Sequence, residues 1–272
     1  MRRRPALLAA MLAPLVLLLG TPAARAGQPV RVLYAGSLVA MMEHAIGPAF
    51  NRASGDNFEG FFGGSKALAN QIKGKLRRAD VFVSSSPTVN ARLMGAANGD
   101  WVRWYAALAQ SPVVIGYDPH SRFAHDLQTK PWWQVLAEPG FRLGRYDPQL
   151  DPLGALILQV LHRAEAKLNQ PGLAARILHN GVILPDGAVL GRLQSGQLDA
   201  AFFYSTETAG TVVHANTLPP GIVLSAHFSI TIPRGAPDPA GAARFVAFLF
   251  GADGRALLRA HGLELVPPRP RG

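Results

Sequence analysis

The sequence predicts an α/β protein of two Rossmann-like lobes with a ligand cleft between them, joined by two hinge crossings. Three observations predict it. Short β-rich runs alternate with helical patterns along most of the chain, which is the mark of parallel strands connected by helices. A second series of such units starts near residue 110. A last strand and helix, from about 227 to 260, come too late to belong to that second series, so the chain returns to the first lobe. The crossings fall near 108–116 and 224–234. The lobes are then 27–110 with 228–266, and 111–227, and 267–272 reads as a disordered tail.

Each element has its own signal. Val30 to Ala35 is a short buried first strand, and Gly36-Ser37 turns it into a helix over about 38–52, where Leu38, Met41, Met42, Ala45, Ile46 and Phe50 recur at helical spacing. Phe58 to Phe62 is a second strand. Gly63-Gly64-Ser65 leads into a helix expected to carry Leu68, Ile72 and Leu76 on one face. Asp80 to Ser84 is a third strand, and Ser86-Pro87 opens a helix, Ser at the N-cap and Pro at the first helical position. In the second series, Ser111 to Tyr117 and Phe141 to Gly144 are strands. Trp132 to Ala137 is a helix, and Asp151-Pro152 opens a long one ending near Leu168. Gly187 to Leu193 is a short helix, Ala200 to Tyr204 an apolar strand, and His227 to Ile232 the last strand. Pro239 to Ala260 reads as one continuous helix.

Residues 1–26 stand apart. Arg2, Arg3 and Arg4 precede an apolar run from Ala6 to Leu19, and Ala24-Arg25-Ala26 supplies the small residues of a cleavage site. This is the pattern of an export signal, with Gly27 as the first mature residue. The run is shorter than the ~20 apolar residues of a spanning helix. The whole chain has 272 residues and a formal charge of +10; removal of the four arginines in the signal leaves +6. Positive residues are spread over many segments without interleaved aromatics, so nucleic acid is not an expected partner. A mild positive field suits a small anion.

Composition also excludes chemistry. The chain has no Cys, so it holds no thiolate zinc site, iron–sulfur cluster, disulfide or cysteine nucleophile. The eight histidines are scattered. The nucleophile-elbow, zinc-protease and phosphate-loop motifs are all absent. Asp147 and Asp151 form a close carboxylate pair, but in a Pro-rich turn where capping is the ordinary role.

The most informative feature occurs twice. Ala35-Gly36-Ser37-Leu38 and Gly63-Gly64-Ser65-Lys66 each end a strand in a Gly-Ser step at the start of a helix. A helix start presents unpaired N–H groups and partial positive charge, and Gly lets a ligand approach them. Either Ser alone reads as an N-cap. Two at the carboxyl ends of neighbouring parallel strands lie on the edge where open α/β sheets bind ligands.

Three stretches then carry a resemblance: Tyr34-Ala-Gly-Ser-Leu38, Phe62-Gly-Gly-Ser-Lys-Ala-Leu-Ala-Asn-Gln-Ile72 and Ala79-Asp-Val-Phe-Val83. They resemble the N-terminal half of the periplasmic molybdate/tungstate-binding proteins, the solute-binding subunits of ABC importers. The likeness continues through Asp147 to Gly154, Leu193 to Asp199, the strand ending at Tyr204 and the helix ending at Arg255, so it covers nearly the whole mature chain. It implies a type II periplasmic binding protein whose lobes close on a tetrahedral oxyanion held by hydroxyls and backbone N–H groups. Carried over by position, it implies Ser37 and Ser65 as the first lobe's hydroxyls. It implies Leu153 and Asp186, or Gly187 beside it, as positions of backbone donors, and Tyr204 as a phenol donor. In one branch of that family an Asp before this Pro and a Glu before this Tyr expand the metal's coordination. Asp151 fits the first position; Phe203 stands at the second and cannot ligate. Asp151 otherwise caps the helix that follows.

The function expected is therefore an exported, monomeric binding protein that carries molybdate or tungstate to a membrane permease, with no cofactor and no metal other than that of the bound oxyanion. The alternatives are a binding protein for another anion, such as sulfate or phosphate, and a secreted enzyme on the same fold.

Overall fold

The computed structural model describes residues 27–185, 187–208 and 211–272. The export signal expected over 1–26 lies outside the described residues, and so does Asp186.

Eleven strands form one connected sheet system. They are β1 (Pro29–Ala35), β2 (Asn57–Gly63), β3 (Val81–Ser84), β4 (Tyr105–Tyr117), β5 (Leu143–Arg145), β6 (Gly181–Ile183), β7 (Ala200–Tyr204), β8 (His214–Thr217), β9 (Ser225–Thr231), β10 (Glu264–Leu265) and β11 (Pro270–Arg271). The main path runs β2-β1-β3-β9-β4-β7-β5-β6. Strands β2, β1 and β3 are parallel, and so are β6, β5 and β7. Each lobe therefore has a central strand flanked by the next two in sequence.

The two crossings are neighbouring antiparallel strands. The first half of β4 pairs with β9 from Ala106 to Pro112, and its second half pairs with β7 from Val113 to Tyr117 and with β8 from Val114 to Tyr117. A register shift between Ala107 and Ala109 marks a bulge there, a site of bending and added twist.

Packing follows the strand period of two. Along β1, Val30, Val32 and Tyr34 face a core shared with the helices 36–54 and Pro239–Phe250, while Leu33 faces Leu68 and Ile72 of the helix Ser65–Lys73. The segment after β1 is a composite: a 3₁₀ turn Gly36–Leu38, an α turn Val39–Met41, a π turn Met42–Ile46 and the α-helix Gly47–Ser54. Pro48 has no N–H to offer the His44 carbonyl, so the ladder widens just before it.

Three expectations are corrected. The helix expected over 239–260 is two, Pro239–Phe250 and Ala252–Ala260, broken at Gly251, whose backbone is extended. Gly254 lets the second helix fold tightly over the end of the first: a Cβ there would lie 2.2 Å from the Phe248 carbonyl oxygen. Leu76 does not share the face of Leu68 and Ile72; its helix ends at Lys73, the chain turns through Lys75 at φ 55°, and Leu76 is exposed. The tail is not disordered throughout. Pro270 and Arg271 pair with Ala106 and Tyr105, and β10 pairs with Ala109 and Gln110. Together they cover the edge that the first half of β4 would otherwise leave open.

Candidate functional site

All six parallel strands point their carboxyl ends toward the space between the lobes, and a small pocket lies there. It is lined by Ala35, Gly36, Ser37 and Ser85 from the first lobe and by Tyr146, Asp151, Leu153, Tyr204 and Glu207 from the second. The space open to a water-sized sphere is about 10 Å³, room for about one water molecule. Among the described residues no Lys or Arg lines it.

Ser37 lies inside the 3₁₀ turn that follows β1, and the residue capping that turn is Ala35, without a side-chain hydrogen bond. The Ser37 Oγ is buried and has no hydrogen-bond partner among the described residues. Capping therefore does not account for it. Ser65 is also not a cap: the N-cap of its helix is Gly64. Ser65 does not line the pocket. Its buried hydroxyl accepts the Ser85 N–H at 3.1 Å and lies 3.3 Å from the Ser85 hydroxyl. It thereby fixes Ser85, which does line the pocket.

In the second lobe Asp151 is the N-cap of the helix Pro152–Lys167, and its Oδ1 accepts the Leu153 N–H at 2.6 Å. The Leu153 N–H expected to face an anion is thus held by a carboxylate, although Leu153 itself lines the pocket. Tyr204 is buried at the end of β7 and also lines it. Gly187 sits outside the pocket as the N-cap of the helix Ala188–Gln194, at φ +83°. A Cβ there would meet the Phe62 ring of the other lobe at 3.1 Å.

Sequence reasoning missed Ser85, Tyr146 and Glu207. Glu207 accepts the Tyr204 N–H at 2.8 Å, which places a second carboxylate beside Asp151 at the pocket. A signal for Ser85 was present. Asp80 and Asp199 occupy matching positions before β3 and β7, and five residues beyond them stand Ser85 and Tyr204. The two pocket residues are equivalents across the lobes.

The lobes touch directly beside the pocket. The Ala67 N–H donates to the Leu150 carbonyl at 3.1 Å, and the Lys66 amine donates to the Pro148 carbonyl. Gly64 makes this approach possible: a Cβ there would lie 2.8 Å from the Leu150 carbonyl oxygen and 3.2 Å from the Asp151 Oδ2. Lys66 is held below the usual lysine range, by burial first and then by the Arg92 charge, with Asp151 and Asp147 acting the other way.

The chain belongs to the bacterial extracellular solute-binding protein family, whose model matches residues 30–264. It is similar to a Haloferax volcanii protein named as an ABC transporter molybdenum-binding protein, 28% identical over 227 residues, covering 80% of this chain and 71% of that one. Among solved structures it is similar to the periplasmic molybdate-binding protein of Azotobacter vinelandii, with a TM-score of 0.69, 18% identity, and 88% and 100% of the two chains covered. It is also similar to the sulfate-binding protein SubI of Mycobacterium tuberculosis, with a TM-score of 0.70, 18% identity, and 88% and 87% covered. The fold is thus that of the type II periplasmic binding proteins, in two lobes, and the family is one of solute-binding transport proteins. No helix of the described residues is long and apolar enough to cross a membrane.

Proposed function

We propose that this member of the solute-binding family captures a tetrahedral oxyanion, molybdate or tungstate, outside the cytoplasmic membrane and delivers it to the permease of an ABC importer. The observation that carries the reading is the inner pocket: Ser37, Ser85 and Tyr204 gathered at strand ends and helix starts, with no Lys or Arg lining it among the described residues. Hydroxyl and N–H donors suit an anion that has no proton left to donate, and each hydrogen bond to a charged group contributes roughly 1.5–3 kcal/mol. Closure about the paired β4 and β9 would bring both halves of the donor set onto one ligand. No covalent step is involved.

A second reading rests on Asp151 and Glu207. Two carboxylates beside an anion pocket suit an oxyanion that keeps a proton, such as hydrogen phosphate, because that proton needs an acceptor.

Isothermal titration of the mature protein with molybdate, tungstate, sulfate and phosphate separates the readings. Stoichiometric binding of molybdate or tungstate ahead of sulfate and phosphate is expected. Phosphate binding ahead of molybdate, weakened by Glu207→Gln, would establish the second reading. Turnover of a substrate without stoichiometric oxyanion binding would replace both with an enzyme.

A further inference from the structure

Beside the inner pocket lies a much larger cleft of about 550 Å³ that shares Ser85 and Tyr204 with it. One wall is the first lobe, with Lys66, Lys73 and Arg92; the other is the start of the helix Pro152–Lys167. The β9 crossing, with His227, closes its floor. Among the described residues no Asp or Glu lines the cleft.

Its cations are not equivalent. Lys66 is committed to the Pro148 carbonyl and has Asp147 and Asp151 near it. Lys73 and Arg92 make no ion pair within 4.0 Å among the described residues. Arg92 lies close enough to Lys66 to repel its charge. Like charges brought together in a concave site, without a carboxylate on its walls, concentrate positive potential there. The inner pocket has the opposite character: hydroxyl donors and two carboxylates.

From this division we infer that the large cleft is a capture subsite for oxyanions, where Lys73 and Arg92 hold an arriving dianion before it passes Ser85 and Tyr204 into the inner pocket. Rim charges of this kind set the rate of association and its salt dependence, while groups that hold the final complex set its lifetime. The inference rests on the oxyanion reading of the inner pocket.

The test is stopped-flow binding of molybdate, followed by tryptophan fluorescence, at 20 and 200 mM NaCl. It compares the wild type, Lys73→Gln with Arg92→Gln, and Lys73→Arg, each checked by thermal melting. The double variant should lose about fivefold to tenfold in association rate at low salt and most of the salt dependence. Its dissociation rate should stay within about twofold of the wild type, and Lys73→Arg should behave as wild type. Unchanged association rates at both salts would overturn the capture subsite and leave the inner pocket standing. So would a loss confined to the dissociation rate. A wild type that binds no molybdate, tungstate, sulfate or phosphate would overturn the inner pocket and the subsite together.

Discussion

The two lobes are built alike at one end of their sheets and differently at the other. At the amino ends, Arg31 and Asp80 exchange backbone bonds in the first lobe just as Arg142 and Asp199 do in the second. The Arg N–H donates to the Asp carboxylate at 2.8 Å in both, and the Asp N–H returns to the Arg carbonyl at 2.8 and 2.9 Å. At the carboxyl ends the likeness stops. Ser85 in one lobe faces Tyr204 in the other, and the first lobe offers hydroxyls where the second offers phenols and carboxylates. The shared end ties strand to strand within each lobe, and the divergent end is where a ligand would be told apart.

The comparison can be broken first at its shared end. Asp80 is fully buried, and Asp199 nearly so, with Asp199 also accepting from Ser121 and twice from the Arg142 side chain. Removing either carboxylate leaves buried backbone and hydroxyl donors without an acceptor, so Asp80→Ala and Asp199→Ala should each cost about 1–3 kcal/mol per donor stranded, read in urea unfolding. Equal losses would support equivalence of the two pairs; a loss at only one would break it. Acid sharpens the point. Burial raises the Asp199 carboxyl, but the Arg142 and Ser121 hydrogen bonds prevail and hold it below the usual carboxylate range. A group lowered by folding contributes stability above its unfolded pKa and loses it as pH falls through the folded one. The wild type should therefore weaken below about pH 4 by more than Asp199→Ala does, in melts across pH 2–7.

At the divergent end, Ser37→Ala and Tyr204→Phe should each lower oxyanion affinity about tenfold to a hundredfold with little change in melting temperature. Ser65→Ala should instead lower stability by roughly 1–3 kcal/mol, because it strips the Ser85 N–H of its acceptor. Titration and melting of the three variants separate a pocket residue from a supporting one. Wild-type affinity in Ser37→Ala and Tyr204→Phe would remove them from the site and leave the fold untouched.

A smaller effect is expected from Gly64→Ala, which acts on the approach of the lobes. The added carbon would press on the Leu150 carbonyl, and an overpacking of this kind costs typically 1–3 kcal/mol. That cost should fall on affinity, by about fivefold to a hundredfold, and leave unfolding nearly unchanged. A scattering profile that shows no change in how far the lobes part would count against it.

Much of the architecture was legible because strand and helix periods, Gly-Ser turns and the returning last strand are local signals. The fold of Pro239 to Ala260 was not, because apolar spacing continues across Gly251 and only the packing at Gly254 shows that the chain doubles back. Leu76 misled for the same reason: its spacing fits a helix that Gly74 and Lys75 have already ended. The pocket was legible at Ser37 and Tyr204 through the resemblance and their strand ends. Ser85 was hidden in a run of three serines, where only the matching position of Tyr204 singles it out. Glu207 stands three residues after Tyr204, on the turn Ser205–Thr208, where backbone geometry and not spacing along a strand decides what it reaches.

The contact between Ala67 and Leu150 has a consequence for selectivity. It joins two backbone groups of the protein, and no ligand atom takes part. A hydrogen bond of this sort contributes about 0.5–1.5 kcal/mol, a factor of roughly two to ten. It contributes the same to every complex in which the lobes meet, so it cancels when two ligands are compared. The protein can thus be tuned as a whole, tighter or weaker for all solutes at once, by changes that strengthen or weaken this one contact, without altering which solute it prefers.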